Sequence, residues 1–314
     1  MIKKAALYFL LITGLLYAAR YLHYRGLLRQ PAGYYAKYKT CFFEKNHYSL
    51  LFLGSSRAEM HYNTALFDSL TGHSSFNLSL AGATPHTAFA ALKAYLYQSS
   101  APQYLIYEVD YHALRHPNQG IREFSNYFPF LGQPVLRQEF NRLDGRMIHF
   151  YYNPYFSFPY TGFRNLSTSA HGWLGIPNKG DSLYHKGFFK EVHRPHLDYL
   201  PVTPQHGWID PVERNYLDSI ILLCKKNNTR ITLMSSPLFA GGRADVLNKE
   251  QVIRQLHHIA ALHHIRYFDL SSLPFCNQRE LFIDHYHLNY RGANKFTPVA
   301  AQVFNNKIVN NPLK

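Results

Sequence analysis

Short apolar runs alternate with stretches of helical spacing along most of this chain. Leu50–Leu53, preceded by Tyr48, reads as a strand, and residues 58–70 carry apolar positions at Ala58, Ala65, Leu66 and Leu70 before Gly72, the spacing of a helix. Residues 74–80 predict a second strand, 84–98 a helix opened by Thr84-Pro85, and 103–109 a third strand. The alternation resumes with a helix over Pro211–Lys226, a strand over 230–236, a helix over 248–264, a strand over 265–270 and a closing helix over 291–304. Strands and helices of these lengths predict an α/β fold, a flavodoxin-like three-layer domain with a parallel sheet covered on both faces. Ligands of such sheets sit at the carboxyl ends of the strands, where Gly54-Ser55-Ser56 stands.

Two segments depart from the alternation. Residues 112–210, with "YYNPYFSFPYTGFRN" and "HGWLGIPNKGDSLYHKGFF", mix aromatics, Gly and Pro without period. A loop of that length is rarely structureless, so it reads either as an inserted cap over the strand ends or as a surface excursion packed by its own rings. The N-terminus holds Lys3 and Lys4, an uncharged run over 5–19, and then Arg20, Arg25 and Arg29. If Arg20 snorkels, the apolar span reaches Leu22, about 27 Å, nearly a bilayer. Leu16 and Tyr17 occupy the places where a cleavage site wants small residues, so 1–29 reads as an uncleaved signal anchor rather than a cleaved signal. Residues 30–47 then form a juxtamembrane linker and 48–314 the α/β domain. Positive charge flanks both ends of the span and does not orient it. The long domain behind a signal-like start places the body outside the cytoplasm, on the periplasmic or cell-surface side.

Charged residues are only 17% of the 314, and 25 Tyr and 23 Phe fill the shortfall. A net charge of +14 suits an anionic partner such as lipid headgroups or an acidic glycopolymer. Without zinc-finger spacing, an RNP-type motif or a Lys/Arg run, nucleic acid is set aside. Cys41, Cys224 and Cys276 lack CxxC spacing and read as unpaired structural thiols. The two His pairs at 257–258 and 263–264 are out of phase for a metal and read as a helix face, so no metal ligands are assigned.

Chemistry concentrates in "GSSR" at 54–57 and "LFIDHYHLNYRGANKF" at 281–296. A serine hydroxyl becomes a nucleophile when an imidazole takes its proton and a carboxylate fixes the imidazole tautomer; Asp284 and His287, three apart, offer both from one loop. The plainer alternatives are that either serine caps the following helix, that Asp284 caps, and that His287 is a buried structural residue. His285 reads as structural and His61 as a surface residue, while Arg57 either binds an anion or pairs with Glu59.

These blocks, in this order on these elements, resemble the SGNH/GDSL hydrolase superfamily, in which a strand ends in Gly-Asp-Ser and a late Asp-x-x-His completes a triad. The resemblance implies Ser56 as nucleophile, His287 as base and Asp284 as its orienting partner. The backbone N–H groups of Ser56 and Gly82, the latter in "NLSLAGATPH", would form the oxyanion hole. The family's Gly-x-Asn-Asp block is missing; "YEVDYHAL" puts Asp110 nearest its place, and Asp110 and Arg57 are assigned to substrate. That departure, with Gly-Ser-Ser and an anchor, resembles the membrane-anchored SGNH-like proteins of teichoic-acid D-alanylation and alginate O-acetylation. The implied function is an acyl esterase or O-acyltransferase without cofactor. It would act between an acyl donor and a surface polysaccharide or glycolipid, with a membrane-bound acyltransferase as partner. The alternatives are a non-catalytic scaffold or glycan-binding partner of an acyl-export system, which the missing block favours, and a cytoplasm-facing lipase or thioesterase.

Overall fold

A computed structural model describes residues 2–109, 114, 121–161, 165–178, 181–192, 204, 206–241 and 246–310. The chain divides into two units, Met1–Glu44 with Gly120–Tyr184, and Lys45–Gln119 with His185–Lys314.

In the first unit, α1 (Ile2–Leu28) is long and apolar enough to cross a membrane. Helix α2 (Gly33–Phe43) forms inside the stretch expected to be a linker. It is ordered by burial of Tyr38, Cys41 and Phe42, and Tyr38 hydrogen bonds to the Tyr127 hydroxyl at 3.1 Å. The described part of the insertion is helical, with α6 (Pro134–Leu143), α7 (Met147–Tyr152), α8 (Pro154–Thr161) and α9 (Leu166–Leu174). It packs on α1 and through its own rings, as in the stack of Phe128 on Phe150 at 4.8 Å.

The second unit holds the sheet. Strands β1 (Leu50–Leu53), β2 (Ser75–Asn77) and β3 (Tyr104–Glu108) precede a short hairpin of β4 (Tyr184–His185) and β5 (Phe188–Phe189). Strands β6 (Arg230–Ser235) and β7 (Arg266–Asp269) follow. The large sheet runs β2-β1-β3-β6-β7, all parallel, the strand order of flavodoxin-like folds. Every residue of β1 and β3 is buried; since successive side chains face opposite sides, both faces are covered. The helices that cover it are α3 (Ser56–His61), α4 (Thr64–Thr71), α5 (Pro85–Leu96), α10 (Pro211–Lys226), α11 (Lys249–Leu262) and α12 (Tyr290–Val303). Helix α10 begins where the sequence predicts, because Pro211 takes the first turn and Asp210 accepts the N–H groups of Val212 and Glu213.

Two expectations for this second unit change. The single helix over 58–70 is two, α3 and α4, because Asn63 caps the second by accepting the Leu66 N–H while Tyr62 turns into the core against Phe52, 4.6 Å away. Strand β2 is shorter than 74–80, yet its continuation stays tied to β1, with Leu78 N–H on Phe52 O at 2.8 Å and Leu80 N–H on Gly54 O at 3.1 Å. All three cysteines are free thiols in the interior.

Gly54 ends β1 at φ +152°, and a Cβ there would meet Ala58 Cβ at 2.9 Å and Glu108 O at 3.0 Å. Gly54→Ala is therefore expected to cost about 1–3 kcal/mol from backbone strain and overpacking, read as a lower denaturation midpoint. An unchanged midpoint would mean that this turn relaxes freely.

Candidate active site

Two residues, Gly54 and Ser55, separate β1 from helix α3. Ser55 takes the capping position, its Oγ accepting the Arg57 N–H at 3.3 Å. Ser56 Oγ, released from that duty, lies 2.8 Å from Nε2 of His287. On its other side, His287 places Nδ1 3.0 and 2.9 Å from the two Asp284 oxygens. Asp284 Oδ1 also accepts the N–H groups of Tyr286 at 2.7 Å and His287 at 2.8 Å, an Asx-type turn. This turn lets an aspartate three residues ahead of a histidine reach its ring.

Burial alone would raise the Asp284 carboxyl. The His287 ring and the N–H groups of Tyr286 and His287 outweigh it and hold the group below its ordinary value, so it is charged at neutral pH. A carboxylate against Nδ1 keeps the imidazole proton there and turns the Nε2 lone pair toward the Ser56 hydroxyl. The His287 side chain is 23% exposed, so the Ser–His pair is open to a ligand.

The bond from Leu80 N–H to Gly54 O lays the turn bearing Gly82, at φ +70°, alongside the end of β1. Among the described residues no protein acceptor takes the N–H of Ser56 or of Gly82, which leaves both available to an oxyanion. Asp110, assigned to substrate from the sequence, lies outside the described residues.

No protein-family model matches the sequence, and no curated protein matches it. Among solved structures the fold is similar to a proposed acylhydrolase from Bacteroides fragilis at 11% identity and TM-score 0.39, covering 85% of this chain and 92% of that one. It is also similar to a family two carbohydrate esterase from Clostridium thermocellum at 8% identity and TM-score 0.35, covering 84% of this chain and 65% of that one. An acetyl xylan esterase from Butyrivibrio proteoclasticus matches at 10% and 0.35, covering 84% and 66%. The chain thus spans about two thirds of the length of the two esterases.

A second polar cluster adjoins Ser56 and His287, and sequence reasoning missed it. Arg57, expected to face substrate, is instead 3% exposed. Its Nη2 donates to Ser236 O at 2.6 Å and Ser236 Oγ at 2.9 Å, and its Nε lies 3.3 Å from Glu108 Oε1. His61, expected at the surface, is fully buried; its Nε2 accepts the Leu288 N–H at 2.9 Å. That fixes the tautomer: Nδ1 carries the proton and donates to Ser236 Oγ at 2.8 Å, and Ser236 donates onward to Glu108 Oε1 at 2.9 Å. Leu288 follows His287, so this relay holds the loop that presents the His287 ring. The one signal in the sequence was a lone carboxylate at the end of the apolar run "YLIYE", which needs a buried cation.

Burial, then the charge of Arg57, then that of His287 push His61 well below the ordinary imidazole value of 6.5. Protons therefore bind the unfolded chain more readily than the folded one. Stability from this residue is present above 6.5 and falls by about 1.4 kcal/mol per pH unit below it, until the folded group itself charges. His61→Gln keeps an acceptor near the Leu288 N–H and does not titrate, so it is expected to flatten the acid limb of a stability–pH curve. An acid limb unchanged in that variant would assign the slope to other groups.

Proposed function

We propose that this protein is a membrane-anchored serine esterase or O-acyltransferase. The observation that carries the reading is the unbroken line from Asp284 through His287 to Ser56 Oγ, with each link at hydrogen-bond distance. His287 Nε2 takes the Ser56 proton as Oγ attacks the acyl carbonyl. The N–H groups of Ser56 and Gly82 receive the oxyanion, and His287 returns the proton to the departing oxygen. The acyl group then rests on Ser56 as an ester. Water activated by His287 releases it as an acid; a sugar hydroxyl in place of water carries it away as a new ester. The basic charge of the chain suits an anionic surface polysaccharide or glycolipid as acceptor, on the extracytoplasmic side, with α1 as the anchor.

The full chain in detergent, mixed with p-nitrophenyl acetate, is expected to release nitrophenolate and to leave an acetyl group on the peptide bearing Ser56. A folded protein that gains no acetyl group would sink the enzymatic reading and leave the scaffold reading, which the missing Gly-x-Asn-Asp block favours.

A further inference from the structure

Helices α7, α8 and α9 are bound to α1 by hydrogen bonds at successive depths, side chain to backbone for α7 and α9 and side chain to side chain for α8. Thr13 Oγ1 lies 2.6 Å from the Tyr155 hydroxyl, whose ring stacks on Phe9 at 6.3 Å. Tyr17 donates to Tyr152 O at 2.8 Å and Arg20 to Tyr151 O at 2.9 Å, so α1 satisfies the carbonyls at the end of α7. Trp173 Nε1 donates to Leu22 O at 3.0 Å, Ser169 Oγ to His23 O at 3.0 Å, and Gln30 Nε2 to Thr168 O. Where α9 crosses α1, a Cβ on Gly172 would run into the carbonyl oxygen of Gly26, the close backbone approach that small residues permit between helices.

The outward faces are apolar. Between Arg146 and Lys179 the sequence holds a single charged residue, Arg164. Phe156 is 54% and Leu174 70% exposed, with Tyr152, Tyr160 and Leu166 exposed beside them. In water this would be an unusually large bare patch. Thr13 sits seven residues before Arg20 on α1, about 10 Å along the axis, which is within the depth of one leaflet of a ~30 Å hydrocarbon core.

We propose that α7 and α8 lie embedded in one leaflet of the bilayer that α1 enters, with α9 at its headgroup level, so that the exposed rings of α7 and α8 face acyl chains. This rests on the anchor reading of α1. Tying the α7 carbonyls to side chains of α1 is what backbone at that depth requires. Arg20, Arg25 and Arg29 mark the headgroup level, stacked on Tyr17, Tyr21 and Trp173, as cations and amphipathic rings do at an interface.

The test uses the full chain in phosphatidylcholine vesicles carrying Phe156→Cys, with Leu247→Cys on the second unit as reference; the native cysteines are buried. A membrane-impermeant maleimide is expected to label Phe156→Cys at less than about a tenth of the reference rate, and at an equal rate after unfolding in dodecyl sulfate. In a Trp173→Phe, Trp208→Phe variant carrying Phe156→Trp, vesicles of acyl-brominated phosphatidylcholine are expected to quench the one remaining tryptophan by about half or more. Equal labelling in vesicles overturns the proposal while leaving the anchor intact. Protection without bromine quenching also overturns it, because a protein would then cover the face. A chain that fails to float with vesicles overturns the anchor and the embedding together.

Discussion

Ser56→Ala is expected to abolish acetylation by p-nitrophenyl acetate and to lower its turnover by about 10⁴-fold or more, with little change in stability. The size follows from the chemistry: without the hydroxyl no acyl-enzyme forms, and only the oxyanion donors and binding remain to accelerate attack by water. The small stability effect follows from the division of labour between neighbouring serines, since Ser55 and not Ser56 caps α3. Ser55→Ala is expected to show the reverse pattern, a loss of about 1 kcal/mol with the acyl-enzyme still formed. Turnover and denaturation midpoints on the two variants decide the matter; activity that survives Ser56→Ala and is lost in Ser55→Ala would overturn the assignment.

Arg57→Ala is expected to destabilise the second unit by about 3–5 kcal/mol, a large share of the 5–15 kcal/mol of a typical domain. The guanidinium faces Glu108, whose side chain has no solvent exposure, and its removal takes the Arg57 charge away from an interior carboxylate. The double variant Arg57→Met, Glu108→Leu is expected to recover most of the loss, because it deletes both charges and keeps the volume. Denaturant titration of the single and double variants measures this. A double variant no more stable than Arg57→Ala would show that packing of the arginine stem, rather than charge, holds the site.

What the sequence made legible was whatever local chemistry decides. Helix α10 is bounded by Asp210-Pro211, and the parallel sheet follows from apolar runs separated by helical stretches. The contacts among Ser56, His287 and Asp284 could be foreseen because Asp284 and His287 belong to one turn and Ser56 to a strand end. What stayed hidden depends on partners far away. Arg57 and His61 look like surface residues in their own neighbourhood, and only the arrival of Ser236, 179 and 175 residues further on, brings them into the interior. Helix α2 was hidden for the same reason, since Tyr38 is ordered by Tyr127 from the insertion.

The short helix α3 carries Ser56 at its first residue and His61 at its last, and His61 holds the backbone beside His287. The gap between Ser56 and His287 is thereby gauged by five residue steps of one helix. A residue added or removed between positions 56 and 61 would swing the imidazole about 100° around the axis, away from both Ser236 and Leu288. Among natural or designed variants of this chain, each substitution inside α3 acts through its own side chain, whereas a change in its length would part His287 from Ser56 at a single stroke.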